Sequence, residues 1–222
     1  MVDKSTFKSK MDKPVIILGA GTPGLAAAEI FASNNVIVYC ILDDDEKLHG
    51  TEMNEIQIMG STDDDGYLKY IGKKCEAFIA SDEVSYRKHL VELINERRKM
   101  MPVNGIHATA YLPENMAIGH GNMVDAKVVF GAGVKVGSHN IFRTGAIVDH
   151  KVTIGDYVQV GAGSVINSSV EIADEVFIGS GGTIVSGIQS GKTARIGAGS
   201  VVVSDVKAGE TLIGNPARPI AK

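Results

Sequence analysis

The sequence predicts two unlike domains in one chain: a small open α/β sheet, then a parallel β-helix of hexapeptide repeats. Three observations carry this. Stepping by six from Ile118, through Val124 and Phe130 to Val202, meets a sizeable apolar residue every time except at Ser190. The residues four places later, from Asn122 through Val128, Val134, Asn140 and Ala146 to Val206, are nearly all small or aliphatic. Upstream of the repeat, short apolar runs alternate with helix-forming stretches. A period of six fits neither a helix nor a plain strand. It fits a coil with three short flat sides, one hexad each. The large apolar residue then points inward, and residues tolerant of positive φ turn the corners. The upstream alternation predicts a small parallel sheet with helices on its faces.

In order, a polar leader over 1–13 carries several lysines and no apolar stretch, so it reads as disordered and not as a signal peptide. The α/β domain is placed at 14–105. Pro14 to Leu18 is a buried strand ending at Gly19, and Leu25 to Ser33 is a good helix former. Val36 to Leu42 is a second strand, stopped by Asp43-Asp-Asp-Glu46. Gly50 to Gly60 is a loop or hairpin, Cys75 to Ala80 a third strand, and Glu83 to Met101 a helix with Leu90, Leu93 and Ile94 apolar. Val103 to Ile106 is a candidate fourth strand. Pro102 and Pro113 punctuate the junction, and the repeat domain is placed at 106–222. The tail leaves the repeat at Gly214-Asn-Pro-Ala217 and is expected to cap the last coil as a loop or short segment.

Composition narrows the function classes. Hydrophobic residues make up 44% but aromatics only 5%, with no Trp, which suits a thin solenoid with no room for large rings. A net charge of −4 argues against nucleic acid or an anionic membrane as partner. No apolar run is long enough to span a bilayer. Cys40 and Cys75 sit in apolar runs and read as reduced core residues, which suits the cytoplasm.

Gly19, Gly21 and Gly24 form G-x-G-x-x-G between a predicted strand and helix. Glycines there let backbone N–H groups approach phosphate oxygens at a helix N-terminus. Asp43, at the end of the second strand, can accept from a ribose hydroxyl or a base. Three readings stay open: a nucleotide site, a tight structural turn, and NAD binding. NAD fits least, because a full dinucleotide fold needs two such halves. Pro23 is unusual in the motif, although its fixed φ suits a first helical turn.

Of six histidines, His49, His89 and His107 lie outside the repeat and read as solvated or structural. His120, His139 and His150 lie on it. His150 is the third residue of the hexad Val148-Asp-His-Lys-Val-Thr153, where small or acidic residues otherwise stand. The residues 18 positions away, Ala132 and Ser168, are small, so a groove is expected beside the imidazole. A general base suits this position, with His139 and His120 as reserves. His139 and His150 are eleven apart, out of phase with the hexad, so a zinc site is not expected.

The glycine loop, Ile106-His107-Ala-Thr-Ala110, Thr144-Gly-Ala-Ile-Val-Asp-His150, Gly197-Ala-Gly-Ser-Val-Val202 and Gly214-Asn-Pro-Ala-Arg218 occur here together. This set resembles the hexapeptide-repeat acyltransferases of the sialic acid O-acetyltransferase type. It is most similar to the subgroup that N-acetylates nucleotide-linked 4-amino sugars for bacterial glycans. The resemblance implies a left-handed β-helix, a homotrimer with active sites between neighbouring subunits, acetyl-CoA lying along the β-helix, and a nucleotide sugar held by the N-terminal domain. It implies His150 as general base, with Asp149 beside it, and Gln159, Ser180 and Ala198 as acetyl-CoA contacts. Gly21, Thr22, Pro23, Asp43 and Asp44 match its nucleotide-sugar site. An O-acetyltransferase and a non-catalytic trimeric scaffold are the alternatives. This chain departs from the pattern at three places. Lys151 follows the histidine where relatives often carry an acid, and Gln159 and Pro23 stand where relatives often carry His.

Overall fold

The structure, a computed structural model, describes residues 13–220. The first twelve residues of the leader lie outside it. Contacts divide the chain into two compact units, Met1–Ala108 and Thr109–Lys222.

In the first unit, β1 (Val15–Leu18), β2 (Val38–Leu42), β4 (Ile56–Gly60) and β5 (Glu76–Ile79) run parallel. The short β3 (Glu52–Met53) pairs antiparallel with β4, and the sheet order is β3-β4-β2-β1-β5. Helices α1 (Thr22–Ser33) and α3 (Val84–Arg98) are the long ones, and α2 (Asp65–Leu68) is a single turn. β1 is buried throughout because it lies mid-sheet between β2 and β5. α3 buries Leu90, Val91 and Ile94 in a cluster with Ile16, Leu18, Cys40 and Leu42.

The expected fourth strand is in the wrong place. Val103 to Ile106 contributes only Gly105–Ile106, which does not join this sheet, although Val103 N–H donates to Ala77 O at 2.9 Å. The fourth parallel strand is β4, the second arm of the hairpin read at Gly50 to Gly60. Cys75 falls just outside β5 and forms an isolated bridge with Ile71.

The second unit is a parallel β-helix. Each hexad gives one two-residue strand, paired in register with the strand 18 residues on, as in Phe142 with Val160. The first face begins at Met123–Val124, Ile141–Phe142 and Gln159–Val160, the second at Val129–Phe130 and Ile147–Val148, and the third at Ala117–Ile118 and Lys135–Val136. Val124, Phe130, Phe142, Val148, Val160 and Ile166 meet inside with no exposure. Phe130 and Phe142 pack edge to face at 5.0 Å, so two rings do fit this narrow interior.

A turn after each strand from Ala117–Ile118 to Arg195–Ile196 makes an edge of the prism, and its third residue adopts a left-handed backbone. Glycine often fills that position, but Lys127, His139, Lys151, Tyr157, Ser169, Glu175 and Thr193 also adopt it, with φ between 59° and 61°. Each such residue costs roughly 1–2 kcal/mol, which the ladder of parallel hydrogen bonds must offset. Two buried asparagines extend that ladder inward. Asn122 Oδ1 accepts from Asn140 N–H at 2.9 Å, and Asn140 Oδ1 accepts from Val158 N–H at 2.6 Å. This satisfies corner amides that water cannot reach.

The tail is more ordered than expected. Thr211–Gly214 extends the first face beside Arg195–Ile196, then turns back antiparallel through Ala217–Pro219.

Phe142→Ala should cost about 3–5 kcal/mol in urea-induced unfolding, against little change for the exposed Lys135→Ala. A loss below about 1 kcal/mol would contradict a close-packed interior.

Candidate functional site

In the N-terminal unit, the glycine loop joins β1 to α1. A side chain at Gly19 would collide with Ala80 O, and one at Gly24 with Gly19 O, so both glycines are required by packing. Gly21 differs: it is exposed, caps α1, and a Cβ there would meet only the Pro23 ring, at 3.6 Å. No side chain caps α1, no acidic residue lies in its first turn, and Pro23 there brings no N–H. Pro23 is buried at the helix start, and Thr22 is exposed beside Gly21.

Asp43 closes onto this loop. Its Oδ2 accepts from Ala20 N–H at 2.7 Å and its Oδ1 from Asp45 N–H at 2.9 Å. Each oxygen keeps a further lone pair for a hydroxyl donor. Asp44 turns elsewhere. Its Oδ1 accepts from the amide and the hydroxyl of Thr62, both at 2.8 Å, and its Oδ2 from the Tyr86 hydroxyl at 2.5 Å. Burial opposes its charge, but the hydrogen bonds from Tyr86 and Thr62 outweigh that and hold its carboxyl below the usual range. Burial and the bond to Asp44 push the Tyr86 phenol up to about 12. Sequence reasoning missed Thr62 and Tyr86 as partners, because they lie 18 and 42 residues from Asp44. The structure thus brings Gly21, Thr22, Pro23 and Asp43 together, while Asp44 braces β4 and α3 beside them.

In the C-terminal unit, Asp149, His150 and Lys151 form the turn that follows Ile147–Val148 on the second face. Asp149 Oδ1 faces His150 Nδ1 in a short contact. The His150 backbone N–H, then its ring, draw the Asp149 carboxyl below the usual range, so it stays ionised at neutral pH. An ionised acceptor on Nδ1 selects the tautomer with a proton there and leaves Nε2 with a free lone pair. The His150 side chain is 64% exposed, as a base reaching a substrate must be. Lys151 occupies the left-handed corner and its stem lies over Gly133.

His150 and Asp149 border a cleft of about 280 Å³ that also touches Gly131, Ala132, Val129 and Tyr111. The groove expected beside the ring is there. His139 does not share this environment: it is 4% exposed and stacks on Tyr157 at 5.0 Å on another edge. His120 is exposed, one coil from it.

Ser180 and Ala198 stack 18 residues apart on the edge between the first and second faces, and Gln159 points outward from the first face just before that edge. There the turns Gly161-Ala-Gly163, Gly179-Ser-Gly181 and Gly197-Ala-Gly199 lie in successive coils. A side chain at Gly161 or Gly179 would strike the backbone of the coil above, so the edge is a bare strip of main chain. His150 stands on the opposite edge of the second face. One chain therefore does not bring the expected donor residues and the base together. Among the described residues, no three His, Cys, Asp or Glu side chains are grouped to hold a metal ion.

The Asp44–Tyr86 bond has a defined pH signature. Tyr86 contributes stability that is complete below pH 10 and lost as pH rises through about 12. Asp44 works in the opposite sense, contributing above the ordinary carboxylate range and losing its effect in acid. Tyr86→Phe should lower the thermal midpoint at neutral pH and flatten its alkaline decline. An alkaline decline identical to that of the parent would contradict the bond.

Comparison with known proteins bears on the repeat and the fold. Residues 151–186 match the model of the bacterial transferase hexapeptide, six repeats. No curated protein sequence matches the chain. Among solved structures, the acetyltransferase domain of PglB from Neisseria gonorrhoeae, in complex with acetyl coenzyme A, is 27% identical. The match covers 94% of this chain and 99% of that one, with a TM-score of 0.85. A histidine mutant of perosamine N-acetyltransferase from Caulobacter crescentus, in complex with CoA and GDP-perosamine, is 25% identical over 95% of this chain and 98% of that one, at a TM-score of 0.86. WeeI from Acinetobacter baumannii is also 25% identical, over 94% of this chain and all of that one, at 0.80. The coils are those of a left-handed parallel β-helix. The repeat over 151–186 thus matches the bacterial transferase hexapeptide, and the fold of the chain resembles that of nucleotide amino-sugar acetyltransferases.

Proposed function

We propose that the protein is an acetyl-CoA-dependent N-acetyltransferase acting on a nucleotide-linked amino sugar, with His150 as general base. The observation that carries this is the Asp149–His150 pair: an exposed imidazole, fixed by an ionised carboxylate, at an open cleft of a transferase β-helix. The solved structures of similar fold bound to acetyl coenzyme A, or to CoA with GDP-perosamine, support the donor and the acceptor class.

The chemistry follows from the tautomer. Asp149 accepts the Nδ1 proton, so Nε2 is free to take a proton from the sugar amine as its nitrogen attacks the thioester carbonyl. Asp149 then stabilises the imidazolium that forms. The carbonyl oxygen gains charge in the tetrahedral intermediate, and a backbone N–H of the β-helix can hold it. Collapse releases CoA as its thiol, reprotonated from His150, and leaves the acetamide. No covalent enzyme intermediate is required.

The binding groups divide by chemistry. The N-terminal end of α1, with Gly21 exposed at its cap and Thr22 beside it, suits the diphosphate of the acceptor. Asp43 suits a ribose hydroxyl. Pro23 lends shape to the loop but no hydrogen-bonding group. The bare strip beside Ser180 and Ala198 suits the pantetheine arm, and Gln159 can hydrogen-bond its amides or the thioester.

The assembly we favour is a homotrimer. The second face turns Val129 and Ile147 outward, both at least 40% exposed, and Val165 and Val201 follow in the same column. The base and the donor strip flank this apolar face on opposite edges. A neighbouring copy seated on the Val165 and Val201 rungs would supply one edge while this chain supplies the other, and the Val129 rung beside His150 would stay open. Cytoplasmic placement belongs to the same proposal, supported by the buried free thiols of Cys40 and Cys75.

Purified protein assayed with acetyl-CoA and a panel of UDP- and GDP-linked amino sugars should acetylate one of them. His150→Ala should lower kcat by about 10²–10⁴, and undiminished turnover would remove His150 from the mechanism. Asp149→Asn should keep the fold and lower kcat by about two orders of magnitude or more, with little change in KM. Binding of acetyl-CoA without turnover of any amino sugar would favour a hydroxyl acceptor, and no binding of acetyl-CoA would favour a scaffold.

A further inference from the structure

We propose that Tyr111 is the platform on which the acceptor's sugar ring stacks, so that it helps to determine which sugar is used. The inference rests on the acetyltransferase reading above and assigns a role to a residue which that reading does not employ.

The cleft of about 280 Å³ beside His150 is lined by Tyr111, Pro113, Val129, Ile147 and Asp149 together with the imidazole itself. Its remaining surface comes from the inward Phe130 and Val148 and from Gly131 and Ala132, which bring no side chain larger than a methyl. Tyr111 is fixed by its backbone and free in its ring. Its N–H donates to Val128 O at 2.8 Å and its carbonyl accepts from Phe130 N–H at 3.0 Å, while the residue stays 60% exposed. It therefore extends the outward column of Val129 and Ile147 by one rung, ending it in an aromatic ring. A pre-set ring of this kind gives large amphipathic contact area for little lost side-chain freedom.

The lining decides the class of ligand. Asp149 and His150 are its ionisable groups apart from the Tyr111 phenol, and no Lys or Arg borders it. A diphosphate would meet the Asp149 carboxylate with no cation to offset it. The expected donor residues, Gln159, Ser180 and Ala198, stand at the other edge of the second face. What remains is a neutral, flat group with an apolar surface and a polar rim. A pyranose has that form: its axial C–H bonds pack on an aromatic face, and its amine and hydroxyls lie at the edge. A ring lying on Tyr111 in this cleft has the base at its border.

The test compares Tyr111→Ala, Tyr111→Phe and the parent protein by kinetics, calorimetry and light scattering. Ligands are the accepted UDP- or GDP-linked amino sugar and the matching nucleoside diphosphate alone. Tyr111→Ala should raise KM for the nucleotide sugar about three- to tenfold and leave KM for acetyl-CoA and the molecular mass unchanged. It should also shrink, by the same factor, the preference for nucleotide sugar over nucleoside diphosphate. Tyr111→Phe should retain most of both. An unchanged sugar KM and an unchanged preference overturn the platform. So does a changed acetyl-CoA KM, which gives the cleft to the donor, or a changed mass, which gives Tyr111 to a subunit contact. A parent protein that acetylates no nucleotide amino sugar overturns the function itself, and the platform with it.

Discussion

Each coil of the β-helix closes in three hexads, so every residue stacks on the one 18 positions away, as Ile141 does on Gln159. That closure needs a left-handed corner in every hexad and an interior thin enough for three short sides. Sequence choices follow from both demands. The inward position takes Val, Ile and occasional Phe, and the buried Asn122 and Asn140 serve corner amides that would otherwise be orphaned. The same closure sets the surface. Because columns are fixed, the size of a side chain at one level decides how much room its neighbours above and below have. His150 has Ala132 and Ser168 in its column, so its ring is not packed into a ladder. Gly161 and Gly179 bring main chain to the surface along another edge.

Function is thereby spread over edges instead of being gathered in one hollow. The Asp149–His150 turn and the glycine strip flank one apolar face on opposite edges. The N-terminal unit carries a different kind of candidate site, the exposed Gly21 turn at the start of α1 with a carboxylate held against the loop by Ala20 N–H.

How far the sequence could be read depended on how local the cause was. The hexads were legible because a six-residue period matches no other regular structure, and their phase survives Ser190. The Asp149–His150 pair was legible as neighbours but not as partners. Alternate residues on a strand point apart, yet these two lie in a turn, which folds the carboxylate back onto Nδ1. The fourth strand of the α/β sheet is not legible, because Ile56 to Gly60 carries a hairpin signature while its parallel pairing with β2 is set by tertiary packing. Asp44 is legible as a candidate ligand group, but its hydrogen bonds from Thr62 and Tyr86, far along the chain, are not. Tyr111 gives no signal in the sequence, because the outward position of the hexad takes residues of every kind, although it stands 18 residues before Val129. Lys151 is explained only as the occupant of a left-handed corner.

The central claim is that Asp149 holds His150 in the tautomer that leaves Nε2 basic. Long-range ¹H–¹⁵N spectra of protein labelled at histidine nitrogens, with His150→Asn for assignment, test this directly. At neutral pH the account predicts a protonated, pyrrole-type Nδ1 and a pyridine-type Nε2 for His150, and loss of that pattern in Asp149→Asn. A protonated Nε2 in the parent protein, or a pattern indifferent to Asp149, would contradict it.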